Sequence, residues 1–157
     1  MTPDVGTRKG AAVISIGILL QAKGTSVATI HPDATVGDVV EGLAANGVGA
    51  LVVTEDGERI AGIVSERDVV RALHSRGAGV LAEPVRSVMT ADVYTCQRTD
   101  TTDGLMALMT EHRIRHVPVV TEAKLAGIVS IGDVVKSRIG ELESENSAII
   151  EYIQTGR

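Results

Sequence analysis

The string GIVSERD at residues 62–68 returns as GIVSIGD at residues 127–133. A chain of 157 residues has little room for accident, so the recurrence constrains the fold more than any other feature. The likeness extends well beyond the string. Residues 27–70 lie over residues 93–135, with Val27, Thr29 and Thr35 falling on Val93, Thr95 and Thr101. After a one-residue gap, Gly62 to Ser65 fall on Gly127 to Ser130, and Asp68, Val69 and Val70 on Asp133, Val134 and Val135. A period of this length marks a duplicated structural unit.

Each copy reads as β-α-β-β-α. Short strands are expected at 27–30 and 93–96. Helices follow, capped by Thr35 and Thr101, with Val36, Val39, Val40 and Leu43 on one face of the first and Leu105, Leu108 and Met109 on that of the second. Apolar runs at 50–54 and 116–120 predict second strands. The turns EDGE and TEAK lead into third strands, RIAGIVS and KLAGIVS, and new helices open at Glu66 and Ile131. A unit of about 50 residues rarely holds a stable core alone. Two copies packed sheet to sheet would bury what one exposes, giving an α+β (mixed α/β) fold built as a pseudo-twofold pair. The expected organisation is an N-terminal helical segment at 1–24, with a helix over 13–24 stopped by Gly24, and a first repeat at 25–80. A linker helix around Val85–Met89 and the second repeat occupy 81–140, and a helical tail follows at 141–157. The tail pattern, helical from about 132 to 154, places Val134, Val135, Ile139, Leu142, Ile149, Ile150 and Ile153 at mostly helical spacing around a polar ESENS stretch. Packing on a partner chain and a frayed solvated end both fit it.

Composition removes several classes. Apolar residues make up 44% of the chain, enough for a packed interior, yet there are two Tyr and no Phe or Trp. The core is therefore expected from Val, Ile, Leu, Ala and Met, including Met106 and Met109, with no aromatic platform for single-stranded bases. A net charge of −5 argues against a generic nucleic-acid binder. Cys96 is the only cysteine, which excludes an internal disulfide and a Cys-based zinc site, and it is expected buried and inert. The apolar run AAVISIGILL is too short to span a bilayer, and no A-x-A-like cleavage site follows it, so the expectation is a soluble cytoplasmic protein without membrane contact.

The repeated string has two readings. Ser-x-x-Asp ahead of an apolar run is a capping box, in which Ser65 and Asp68, or Ser130 and Asp133, close a helix start. The same place is also an anion site, because a helix start presents unpaired N–H groups and a positive dipole end. The Ser hydroxyl adds a donor for phosphate. A carboxylate three residues on repels phosphate and suits a neutral diol such as ribose. Hydroxyl, helix start and carboxylate together describe a nucleotide site.

Tandem β-α-β-β-α units ending in G-h-h-[ST]-x-x-D, with RIRHVPVV in the second, resemble a CBS-domain pair over roughly residues 25–138, and the whole is similar to small stand-alone bacterial two-CBS proteins. The resemblance implies a regulatory homodimer, with an unidentified protein partner also possible. It implies adenosine-containing ligands (AMP, ADP, ATP, NAD(H) or S-adenosylmethionine) in clefts between the repeats. It gives the ribose to Asp68 and Asp133, and the phosphate to Ser65 and Ser130. It wraps the base with Gly24, Thr25, Ala28, Gly49 and Ala50 in one cleft, and with Thr90, Val93, Tyr94, Arg115, His116 and Pro118 in the other.

The two clefts differ in sequence. Gly47 and Gly49 leave room where Arg113, Arg115 and His116 bring charge. Arg67 stands inside the first string, either as a forked phosphate donor or as a solvated helix-end residue, and Gly132 takes its place in the second. His112 and His116 are four apart but belong to a helix end and a strand, so no metal is expected. Pro118 in a strand predicts an edge or an irregular start. No nucleophile elbow, Walker loop or dinucleotide fingerprint is present, and no residue stands out as a catalytic base. The expected role is therefore non-enzymatic, with no catalytic cofactor. A ligand-free dimerisation module is the alternative.

Overall fold

The computed structural model describes residues 14–155. The chain runs α1 (Ile16–Lys23), β1 (Thr29–Ile30), α2 (Val36–Asn46), β2 (Ala50–Val53), β3 (Gly62–Ser65), α3 (Glu66–Arg76), α4 (Thr102–His112), β4 (His116–Thr121), β5 (Lys124–Ser130) and α5 (Ile131–Thr155). Thr35 and Thr101 cap α2 and α4 as their sequence positions predict. Their hydroxyls accept the N–H groups of Asp38 and Gly104. The expected helix start at residue 13 lies outside the described residues, and α1 begins at Ile16 behind a Ser15 cap and stops at Gly24, whose φ of 99° favours glycine.

The first repeat forms a three-stranded sheet, with β1 parallel to β2 and β2 antiparallel to β3. The second repeat has only the β4–β5 hairpin, and the expected strand at 93–96 is reduced to a single bridge between Cys96 and Val119. Proline chemistry explains the loss. In the first repeat the Val52 N–H donates to the Ala28 carbonyl and the Thr54 N–H to that of Ile30. The second rung survives in the second repeat, from Val120 to Cys96, but Pro118 stands where Val52 does and has no N–H to give Tyr94. The β3 strand is also shorter than expected. Residues 54–59 instead form a side-chain-bonded turn, with Asp56 accepting from the Glu58 and Arg59 N–H groups and Thr54 from Gly57. The linker helix expected around Val85–Met89 is instead a pair of 3₁₀ turns at Ala78–Ala82 and Val85–Ser87.

The apolar side chains make two separate clusters rather than one interior between facing sheets. Val36, Val39, Leu51, Val53, Val64 and Val69 close the first with Val80 and Val85 of the linker turns. Leu105, Met109, Val117, Val129 and Val134 close the second with Cys96 and with Ile16, Leu19 and Leu20 of α1. Each repeat is thus lidded by the segment preceding the other repeat or following its own. Met109 is core, whereas Met106 is only half-buried and Val40 lies at the exposed margin of its helix face. Burial pushes the Cys96 thiol up to about 12, and nearby Asp100 adds to the shift, so it is not a nucleophile near neutral pH. Among the described residues no helix is long and apolar enough to cross a membrane.

Candidate functional site

At the start of α3 the capping reading holds in full. The Ser65 N–H donates to Asp68 Oδ2 at 2.8 Å, the Asp68 N–H donates to Ser65 Oγ at 3.3 Å, and the Ser65 hydroxyl donates to the same carboxylate oxygen at 3.0 Å. The Glu66 N–H is taken by the Gly49 carbonyl. A cavity of about 790 Å³ opens directly over this cap. Its walls come from four places: Gly49 and Ala50 at the start of β2, Ser65 to Asp68 at the α3 start, Thr90 and Asp92 to Tyr94 near the head of the second repeat, and Arg113 to His116 at the entrance to β4.

This grouping corrects the expected one. Gly49 and Ala50 share a single cavity with Thr90, Val93, Tyr94, Arg115 and His116, which the sequence assigned to the other cleft. The cause is one antiparallel bridge, in which Ile63 and Thr90 exchange both backbone hydrogen bonds and so carry the 89–94 segment across the first repeat. Gly24, Thr25, Ala28, Pro118, Ser130 and Asp133 do not line this cavity. Arg67 and Arg113 do, with the Arg67 guanidinium 3.5 Å from the Arg113 carbonyl. Sequence reasoning missed Arg71, Asp92 and His112. Arg71 was within reach, being one helical turn beyond Arg67 on the same face. The Tyr94 and His112 rings stack with centroids 4.1 Å apart, a contact no local pattern announces. Among the described residues no cluster of three metal-ligating side chains occurs.

His116 stands at the boundary of the repeats. A Cβ on Gly49 would lie 3.1 Å from its ring, so any larger residue there would press the imidazole back by a few tenths of an ångström. Burial lowers the His116 pKa from its ordinary value of 6.5; Lys23 and Arg115 lower it further, against Glu66 and Asp133, which raise it. The fold therefore favours the neutral ring, while the unfolded chain takes the proton first. The stability tied to His116 is complete above about pH 6.5 and is lost as pH falls through the lowered folded value. Thermal melts from pH 8 to 5 are expected to fall below pH 6.5 in the parent and to fall less in His116→Gln. Parallel curves for the two would reject this assignment.

The second string is differently occupied. The Ser130 N–H donates to Asp133 Oδ2 at 2.8 Å and the Asp133 N–H donates to Ser130 Oγ at 3.1 Å, closing the same capping box. Here, however, Lys23 from the last turn of α1 pairs with the Asp133 carboxylate and donates to the Ile128 carbonyl at 2.7 Å. Burial pushes the Asp133 carboxyl up, but the Lys23 contact and the Ser130 hydrogen bonds outweigh it and hold the group below its usual range. Lys23 escaped notice in the sequence because it precedes the aligned segment.

The CBS-domain profile matches residues 24–75 and again residues 85–140. The chain belongs to the CBS-domain family. A CBS-domain-containing protein from Agrobacterium tumefaciens is 46% identical, superposes with a TM-score of 0.77, and is matched over 79% of this chain and 98% of its own. The mitochondrial CBS-domain-containing protein CBSX3 of Arabidopsis thaliana is 40% identical over 128 residues, which is 79% of this chain and 62% of that protein. This chain therefore spans less than two thirds of that relative's length. The CBS domain pair of protein MJ0100, crystallised with 5′-methylthioadenosine and S-adenosyl-L-methionine, shares the fold at a TM-score of 0.73 with 20% identity, over 82% of this chain and 98% of its own.

Proposed function

We propose that this CBS pair is a regulatory module that binds an adenosine-containing ligand in the cavity over α3 and passes on its occupancy through contacts with a second copy. The observation that carries this reading is the cavity's composition. The hydroxyls of Ser65 and Thr90, the carboxylates of Glu66, Asp68 and Asp92, and four arginines line one open space, and Arg67, Arg71, Arg113 and Arg115 make no ion pair among the described residues. Unpaired guanidinium groups favour phosphate oxygens, which they can grip in bidentate fashion. Asp68 spends one oxygen on the cap and has a second for a ribose diol. Val93 and Tyr94 supply the apolar wall a base needs. The MJ0100 pair, with its two adenosine compounds, supports the ligand class. For the second copy, the support is a stripe of exposed apolar residues on α5, Ile131, Val135, Ile139 and Leu142, at helical spacing. Within this reading the module performs no chemistry of its own and acts in the cytoplasm.

Calorimetry and thermal melts with adenosine, AMP, ADP, ATP and NAD(H) test it. A hundredfold excess of ligand over its Kd is worth about 2.7 kcal/mol, or roughly 5–10 °C in Tm for a domain of this size. Affinity is expected to rise from adenosine through AMP to ATP as phosphates meet the arginines. Light scattering is expected to give the mass of two chains. No shift with any compound would leave the fold as a ligand-free module.

A further inference from the structure

We propose that Lys23 is the resident occupant of the second cleft, so that each chain offers one nucleotide site and keeps the other shut with its own α1 helix. The inference rests on the nucleotide reading above, since it takes Asp133 as the counterpart of Asp68. The Lys23 ammonium pairs with the Asp133 carboxylate, the counterpart of Asp68, and is held in place by a second bond to the Ile128 carbonyl. These contacts are partly withdrawn from water, with the two side chains 30% and 24% exposed. The helix that delivers Lys23 is firmly seated. Its Ile16 and Gly17 N–H groups donate to the Asp100 and Arg98 carbonyls at 2.8 and 2.9 Å, and Leu20 lies fully buried against Gly127. Lys23 is the last residue of α1, and the bond from the Gly24 N–H to the Leu20 carbonyl fixes its turn.

The first cleft shows what happens without such a lysine. Carried back beyond the aligned segment, the spacing of Val27 and Val93 sets Lys23 opposite Met89, whose thioether packs toward Gly62 and cannot pair with Asp68. Asp68 makes no ion pair among the described residues, and the cavity stands open beside it. At this position the two repeats differ in whether the motif carboxylate meets a cation. A ligand can use the second cleft only by withdrawing Lys23 from two charge-assisted contacts.

Two measurements test this on the full chain. The sequence has four lysines, at 9, 23, 124 and 136. Under limiting acylation with an N-hydroxysuccinimide ester, read by mass spectrometry, Lys23 is expected to react at least tenfold more slowly than Lys124, and Asp133→Asn to remove most of that protection. Equal rates in the parent would overturn the inference whatever the ligand result. Calorimetry with ATP is expected to give one site per chain in the parent and two in Lys23→Met, which installs the residue of the first repeat. Two sites in the parent, or one in a folded Lys23→Met, would overturn this inference and leave the nucleotide reading standing. Absence of binding by every adenosine compound in both proteins would overturn the nucleotide reading, and this one with it.

Discussion

Gly62→Ala is expected to destabilise the fold by about 2–4 kcal/mol, and Gly127→Ala by about 1 kcal/mol or less, although the two glycines open the same repeated string. Neither has a positive φ, so conformational freedom is not the reason for glycine at either place. Close approach is. A Cβ on Gly62 would stand 2.7 Å from the Met89 sulfur and 2.8 Å from the Thr90 carbonyl oxygen. That carbonyl cannot retreat cheaply, because it accepts the Ile63 N–H at 3.0 Å while the Thr90 N–H donates back at 2.9 Å. An added methyl must break this bridge or displace β3. On Gly127 the same methyl would meet only the Leu20 methyl groups, at 3.0 and 3.1 Å, and side-chain methyls yield more readily than a carbonyl held in a backbone bridge. Chemical denaturation of the two variants decides the matter. Gly62→Ala should also lose ligand binding, since the 89–94 segment walls the cavity. Equal and small losses at both positions would show that the crossing segment yields more readily than its hydrogen bonds imply.

These glycines also show where sequence reading stops. Strand, helix and cap positions were legible because each depends on residues close in the chain: Thr35 and Thr101 cap α2 and α4, and Ser65 and Ser130 mark the ends of β3 and β5. Pro118 marked its own strand as an edge or irregular one, but its cost to the neighbouring strand at 93–96 shows only once the two are seen side by side. The allotment of residues to clefts was not legible. It depends on Thr90 crossing to Ile63 and on α1 docking against the distant second core, and both are long-range choices set by the shape of each half-finished core. The same applies to Lys23, whose partners Ile128 and Asp133 are far away in sequence. Local pattern identified the residue types a nucleotide needs, while tertiary packing decided which of them share a space and which are already engaged.

That division gives the second large effect. Asp68→Ala and Asp133→Ala make the same chemical change at equivalent places, yet they are expected to fail in different ways. Each removes the carboxylate that accepts the N–H of its capping serine, at a cost of about 1 kcal/mol in stability. Beyond that shared loss they part. Asp68 borders the open cavity, and losing a charged acceptor for ribose weakens binding by about 1.5–3 kcal/mol, roughly ten- to a hundredfold in Kd. Asp133 faces Lys23, so its removal should leave the affinity of the first cleft nearly unchanged and loosen α1 instead. It should also alter the acid limb of stability. The Asp133 carboxyl is held below its ordinary 3.8, so its stabilisation is present above that pH and disappears as pH falls through the lower folded value. The gap in stability between parent and Asp133→Ala should therefore close as the solution is acidified below about pH 4. Calorimetry at pH 7 and melts taken down the acid range separate the two variants. If Asp133→Ala abolished binding and Asp68→Ala did not, the open cleft would be the second one, and Lys23 would have to be part of the ligand's seat rather than its substitute.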